Sequence, residues 1–286
     1  MKILFIGVFD TNKQSTNTSQ LLEFKKLSHN VVGYNYRSKA IAIGPKQRDE
    51  DLISVIENRS FDLIVFSKCN GIDDKVFKFA SNKTKTCLWF MDPLISYNEE
   101  MRRKTKLVSY FCCDKKNVLE IAKNINKKSF YVCEGFDQTV DRPYSLEKKY
   151  QISFIGNIYG NRKEMLNSID KEVHVFNNLF GNQHAKCVSE TFINLNFCTD
   201  SGASDRVYKI MAAGGFLLTD DWIGRDFIDG KHCVVFKDSD DLNEKINYYL
   251  KNLDKVKEIS LNAQKYVQNY SRHNWAKKIV EYSNVI

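Results

Sequence analysis

The most restrictive feature of this sequence is a recurrent short apolar run, continuous rather than alternating in polarity. Six such runs fall in the first half: Lys2–Gly7, Asn30–Tyr36, Phe61–Ser67, Thr86–Met91, Leu107–Cys112 and Ser129–Cys133. Five follow in the second: Gln151–Ile155, Glu172–Phe176, Phe192–Phe197, Gly215–Thr219 and Cys233–Phe236. All are rich in Val, Ile, Phe and Tyr, the pattern of strands in a parallel sheet whose two faces are both covered. Segments of helical period separate them, among them Asp49–Asn58, Asp114–Asn124, Arg162–Ile169, Ser204–Ala213, Asp240–Asn252, Asp254–Gln268 and Arg272–Asn284. Repeated strand–helix alternation implies an α/β chain with doubly wound sheets. The alternation breaks at the polar stretch Asp137–Lys149, which holds Pro143 and has no period, so it reads as a linker. At 286 residues the chain suits two domains. The expected division is 1–140 and 150–270, with a last helix at 271–286 packing back on the first domain. A cleft between two such domains is the expected ligand site.

Composition removes several classes of function. No apolar run approaches the length of a membrane-spanning helix. The opening Met1–Gly7 stretch is too short for a signal peptide, so a cytoplasmic protein is expected. The eight cysteines include no C-x-x-C pair and no zinc spacing, and several lie inside apolar runs, as in Val108–Cys112. They read as reduced thiols packed as small hydrophobes. The net charge of +8 lies wholly in residues 1–150, with 26 Lys and Arg against 18 Asp and Glu; residues 151–286 hold 17 of each. Such asymmetry fits either a surface that meets an anionic partner, nucleic acid or a membrane-associated glycan, or merely a solvated face.

Two strand-to-helix turns carry the chemistry. The segment Thr199–Thr219 reads as a small-residue loop, a helix, a double-glycine stop and another buried strand. Its loop, Ser201, Gly202, Ala203 and Ser204, places backbone N–H groups at a helix N-terminus, which suits an anion. Arg206 and Lys209 share a helix face and together suit a diphosphate. Asp205 lies between loop and cations, while Gly214 and Gly215 supply the helix stop and close backbone approach. The second turn runs from Ile152 through Gly156 and Asn157 to Arg162. Taken singly, each also fits an ordinary βαβ crossover.

These residues resemble a known family, the glycosyltransferases grouped with the spore-maturation protein CgeB, which are related to the retaining "group 1" transferases. The resemblance rests on Phe154-Ile155-Gly156-Asn157 with Arg162, on Asp205–Lys209 running into Ala212–Leu218, and on Phe227–Phe236 and Asp241–Leu250. It covers about residues 151–282; over residues 1–150 it is one of pattern only. It implies a GT-B architecture, two Rossmann-like doubly wound domains facing across a cleft. It also implies a nucleotide-diphosphate sugar, a UDP-sugar above all, held by the second domain and used without a metal. The activity implied is hexosyl or pentosyl transfer to a hydroxyl acceptor with retention. Where the relatives carry two glutamates eight positions apart, this sequence has Ser201 and Lys209, and Asp200 or Asp205 is expected to supply part of the missing carboxylate. Asp92, after the fourth apolar run and before Pro93, is the candidate to orient the acceptor or act as base, or else a turn residue. The site set is therefore Asp92, Asp200 and Arg206 for catalysis. For the donor it is Gly156, Asn157, Arg162, Ser201, Gly202, Ala203, Ser204, Asp205, Arg206, Lys209 and Gly214. The five histidines share no spacing and read as structural. A transferase acting on a modified base in DNA is one alternative. A nucleotide-sugar-binding protein without turnover is another, which Lys209 invites.

Overall fold

The computed structural model describes residues 1–10, 15–198 and 202–285. The chain divides into two compact units, Met1–Glu134 with Arg272–Ile286, and Gly135–Ser271.

The first unit is built on a parallel sheet of β1 (Lys2–Gly7), β2 (Asn30–Asn35), β3 (Leu63–Ser67), β4 (Lys85–Phe90), β5 (Tyr110–Cys113) and β6 (Ser129–Tyr131). Its strand order is β2-β1-β3-β4-β5-β6. Successive side chains leave a strand on opposite faces, and here both faces are packed. Leu4, Ile6, Ile64, Phe66, Leu88 and Phe90 enter one core, while Ile3, Phe5, Leu63, Val65, Cys87 and Trp89 enter the other. That double burial is why the strands are continuously apolar. The first core is covered by α3 (Pro45–Glu57), α4 (Asp74–Lys83), α5 (Glu99–Leu107) and α6 (Lys116–Ile125). The second is covered by α1 (Thr16–Lys26) and α12 (Arg272–Val285), whose Trp275 meets Phe5, Phe24 and Trp89 at ring distances of 5.2–6.1 Å. The short α2 (Tyr36–Ile43) precedes α3.

The second unit holds β7 (Tyr150–Ile155), β8 (His174–Phe176), β9 (Thr191–Asn196), β10 (Phe216–Asp220) and β11 (Val234–Phe236), all parallel in the order β11-β10-β9-β7-β8. Its helices are α7 (Arg162–Asn167), α8 (Gly181–Ser189), α9 (Asp205–Ala212), α10 (Ser239–Lys251) and α11 (Leu253–Val267). Ile152, Phe154, Ile193, Leu195, Phe216 and Leu218 form the core against Leu242 and Ile246 of α10 and Val256 and Ile259 of α11. Parallel strands gather their C-terminal ends on one edge, where ligands of open α/β sheets are held.

Local hydrogen bonding moves several expected boundaries. β2 stops at Asn35 because its side chain accepts from Ser38 N at 3.2 Å and caps α2. Leu107 ends α5, so the strand there starts only at Tyr110. Helix α1 opens at Thr16, where Ser15 Oγ accepts from Thr18 N. The irregular stretch 137–149 belongs to the second unit, tied to it by Tyr144 N donating to Ser189 Oγ and Lys149 N donating to Glu190 O. All eight cysteines are free, and seven are buried.

Trp275 is 1% exposed and joins three aromatic side chains from three other elements. Trp275→Ala is expected to cost the protein about 3–5 kcal/mol, read as a lowered denaturant midpoint in equilibrium unfolding. A loss below 1 kcal/mol would mean that α12 does not anchor this core.

Candidate functional site

The site begins where β7 ends. Gly156 follows Ile155 at φ +150°, and a Cβ built there would stand 2.6 Å from Arg206 Nη2. Only a residue without a side chain lets the guanidinium lie against the backbone. Arg206 stands in the first turn of α9. Its Nη1 donates to Asn196 Oδ1 at 2.9 Å, and its guanidinium carbon lies 4.9 Å from the Phe154 ring centre. Asn196 is fixed in turn, its amide nitrogen donating to Thr219 Oγ1 at 3.0 Å. Arg162, 3% exposed, opens α7. It donates to Asn157 O at 2.9 Å and Phe197 O at 3.1 Å, and stacks 4.0 Å from the Tyr159 ring centre.

Two cations thus share one corner. Burial first, and then the charge of Arg162, bring Arg206 down to about 10, with Asp205 acting in the opposite sense. Arg206 stays charged at neutral pH, and the corner suits an anion. The N-terminus of α9 adds its dipole there. Gly202 and Ala203 lead into it, buried, and Ser204 is its extended N-cap residue. Lys209, one turn into α9, is paired with Asp205 at 2.5 Å, so its charge is largely met inside the helix.

Arg162, Arg206, Asp205, Lys209, Gly156 and Asn157 all line one open cavity of about 230 Å³. Four further lining residues come from a different part of the sheet edge. Asn178, Leu179 and Phe180 form the β8–α8 loop, with Asn178 at φ +59° and Phe180 48% exposed. His184 lies one turn into α8, 7% exposed, its Nδ1 buried without a hydrogen-bond partner. Burial pushes the imidazole down to about 3; Lys209 and Arg206 push the same way against Asp205. His184 is therefore neutral at any ordinary pH.

The remaining candidates lie elsewhere. Gly214, at φ +75°, ends α9 with Gly215: the N–H groups of Gly214 and Gly215 donate to Met211 O and Ile210 O, and Gly214 is not among the cavity residues. Its left-handed backbone serves the helix stop. Asp92 belongs to the first unit. It follows β4 and pairs with Lys68 at 2.5 Å, both side chains a little over a quarter exposed. Lys68 and Cys69 both adopt positive φ, and the buried Lys104 donates to Cys69 O at 2.9 Å. The expectations for Asp200 and Ser201 fall outside the described residues. Tyr159 and the 178–180 loop belong to no motif of the sequence, and His184, which shares no spacing with the other histidines and reads as structural, is brought to the cavity by the fold.

With this geometry in hand, the relatives of the chain become interpretable. A family model described as glycosyl transferase-like matches residues 143–283. The C-terminal half of this chain is a glycosyl transferase-like domain. Solved structures extend the likeness to both units. Anabaena Alr3699/HepE in complex with UDP-glucose has a TM-score of 0.69 at 12% identity over 100% of both chains. Sucrose-phosphate synthase from Thermosynechococcus elongatus has 0.70 at 10% over 98% of each. An α-glucosyltransferase in complex with UDP-glucose and DNA containing an abasic site has 0.68 at 8% over 99% of each. The fold is GT-B. No curated protein sequence matches the chain. The transferase domain contains the whole cavity just described, and among the described residues no helix is long and apolar enough to cross a membrane.

Two consequences are measurable. Gly156→Ala drives a methyl group into Arg206, so pyrophosphate binding by calorimetry is expected to weaken about ten- to a hundredfold; unchanged binding would show that Arg206 does not need this seat. The second concerns pH. His184 is neutral when folded and titrates near 6.5 when unfolded, so the unfolded chain binds the extra proton and stability falls as pH drops below 6.5. At pH 5 that loss is about 2 kcal/mol. His184→Gln should lack this component between pH 7 and 5, and equal pH slopes for the two proteins would rule it out.

Proposed function

We propose that the chain transfers a sugar from a nucleoside-diphosphate sugar, a UDP-sugar in the first instance, to a hydroxyl acceptor. The observation that carries this reading is the meeting of Arg162, Arg206 and the N-terminus of α9 in one cavity at the C-terminal edge of the second sheet. In the step, the bond from the anomeric carbon to the diphosphate oxygen breaks and the electron pair leaves with the diphosphate. The two guanidinium groups and the helix N-terminus are fixed before reaction, so they stabilise that charge as it grows. This is work that a metal ion would otherwise do, and we assign it to these cations. The acceptor oxygen bonds to the anomeric carbon and gives its proton to a carboxylate or to the departing phosphate. Transfer with retention follows from the resemblance to the group 1 transferases.

For the acceptor we assign Asp92, whose carboxylate is held by Lys68 and still partly open to solvent. The excess of cations in the first 150 residues favours an anionic acceptor, nucleic acid or an anionic glycan, whose binding would weaken as salt rises.

The test is thermal unfolding with EDTA present, against UDP, GDP, ADP, CMP and their sugar conjugates. A nucleotide at 100 times its Kd adds about 2.7 kcal/mol, seen as a raised Tm that Arg206→Ala abolishes. If no nucleotide raises the wild-type Tm, the donor reading fails. If nucleotide binds but neither hydrolysis nor transfer of the sugar is detected with any acceptor, the chain is a binding protein without turnover.

A further inference from the structure

The donor cavity has a mixed lining. Its lining includes Arg162 and Arg206 and, from the β8–α8 loop, the exposed Phe180. A nucleoside diphosphate has the same mix of chemistry, with anionic phosphates, a polyhydroxyl ribose and a flat base that stacks on apolar surface. His184 adjoins both groups of residues. It is one helical turn after Phe180, its backbone N–H reaching Phe180 O at 3.4 Å, while the residue lines the cavity and feels the charges of α9.

We infer that His184 is the residue that recognises the ribose hydroxyls of the bound nucleotide, an assignment that rests on the donor reading above. Three observations converge on it. The residue is only 7% exposed, yet its Nδ1 is buried with no hydrogen-bond partner. Orphaned buried polar atoms are uncommon in folded chains, and this one lies on a residue lining a ligand-sized space. Secondly, a neutral imidazole carries one donor and one acceptor, which complements a hydroxyl; a phosphate would need only donors. Burial and the neighbouring cations hold it neutral. Thirdly, Lys209 cannot take the part easily, since its ammonium is held by Asp205 at 2.5 Å.

The test is calorimetric binding of UDP and 2′,3′-dideoxy-UDP to the full chain, as wild type, His184→Ala and His184→Gln, with far-UV spectra and Tm recorded for each. The wild type should bind UDP at least about tenfold more tightly than the dideoxy compound, one to two net hydrogen bonds. His184→Ala should bind the two nearly equally, by losing affinity for UDP and not for the dideoxy compound. His184→Gln, which keeps a donor and an acceptor, should recover part of the preference. The ratio of wild-type to His184→Ala affinity for UDP should be the same at pH 6 and pH 8, because a hydroxyl does not recruit a proton to the ring. Equal weakening of both nucleotides in the variants would overturn the assignment, as would an unchanged preference in His184→Ala. A ratio rising as pH falls would overturn it too, pointing to a phosphate contact. Failure of the wild type to bind any nucleoside diphosphate would remove the donor reading itself, and this assignment with it.

Discussion

The guanidinium of Arg206 resting against the bare backbone of Gly156 is the contact around which the second unit is organised. Taking a cation out of water costs several kcal/mol even after relaxation. Here a second cation, Arg162, works against it. The surroundings offset this in kind: Asn196 accepts from Arg206, two carbonyls accept from Arg162, and the face of Phe154 lies beneath both. Asp205 is nearby, but its carboxylate is shared with Lys209. The corner thus holds two guanidinium groups fixed by neutral acceptors and an aromatic face, an arrangement suited to holding an anion without rearranging.

Much of this could be read from the chain. Buried parallel strands declare themselves as continuous apolar runs, and the two strand-to-helix turns put Gly156, Arg162 and Arg206 close together because βαβ units bring successive strand ends to one edge. What could not be read is the part that depends on side chains meeting across the sequence. His184 and Phe180 follow a three-residue strand, and no motif marks them. The cap at Asn35 and the late start of β5 are local decisions made by single hydrogen bonds and by the length of α5, and the apolar pattern does not distinguish Leu107 in a helix from Leu107 in a strand.

The first unit shows a different limit. Runs such as Arg102-Arg103-Lys104 and Lys115-Lys116 look like basic patches, yet Lys104 is fully buried and Lys115 nearly so. Lys104 is spent on Glu100 and on the carbonyl of Cys69, and Lys115 on Asp114 at 2.6 Å. Burial in turn pushes Asp114 up to about 6 despite that partner. Adjacent charges in sequence point in different directions on a helix or at a strand end, so a run is not a surface. These internal cations fix loops at the C-terminal edge of the first sheet, where two consecutive residues, Lys68 and Cys69, hold left-handed backbone that a side chain disfavours. The free excess of positive charge must therefore be sought on the exposed lysines and arginines that remain.

The replacement of a carboxylate by Lys209 bears most directly on what the second unit binds. Read alone, it adds a third cation to a site already holding two, and would favour phosphate over any neutral group. Its pairing with Asp205 cancels that effect, because the two charges lie 2.5 Å apart on one helix face and both are about three-quarters buried. Seen from the cavity, this stretch of α9 is then close to neutral, while the cationic character stays with Arg162 and Arg206. On the proposed donor reading, the cationic corner is the place for phosphate and the near-neutral stretch of α9 the place for uncharged groups. His184 adds a further lining residue from α8. Burial above all keeps its imidazole neutral there, with Lys209 and Arg206 acting the same way against Asp205, so it adds no third cation to the site.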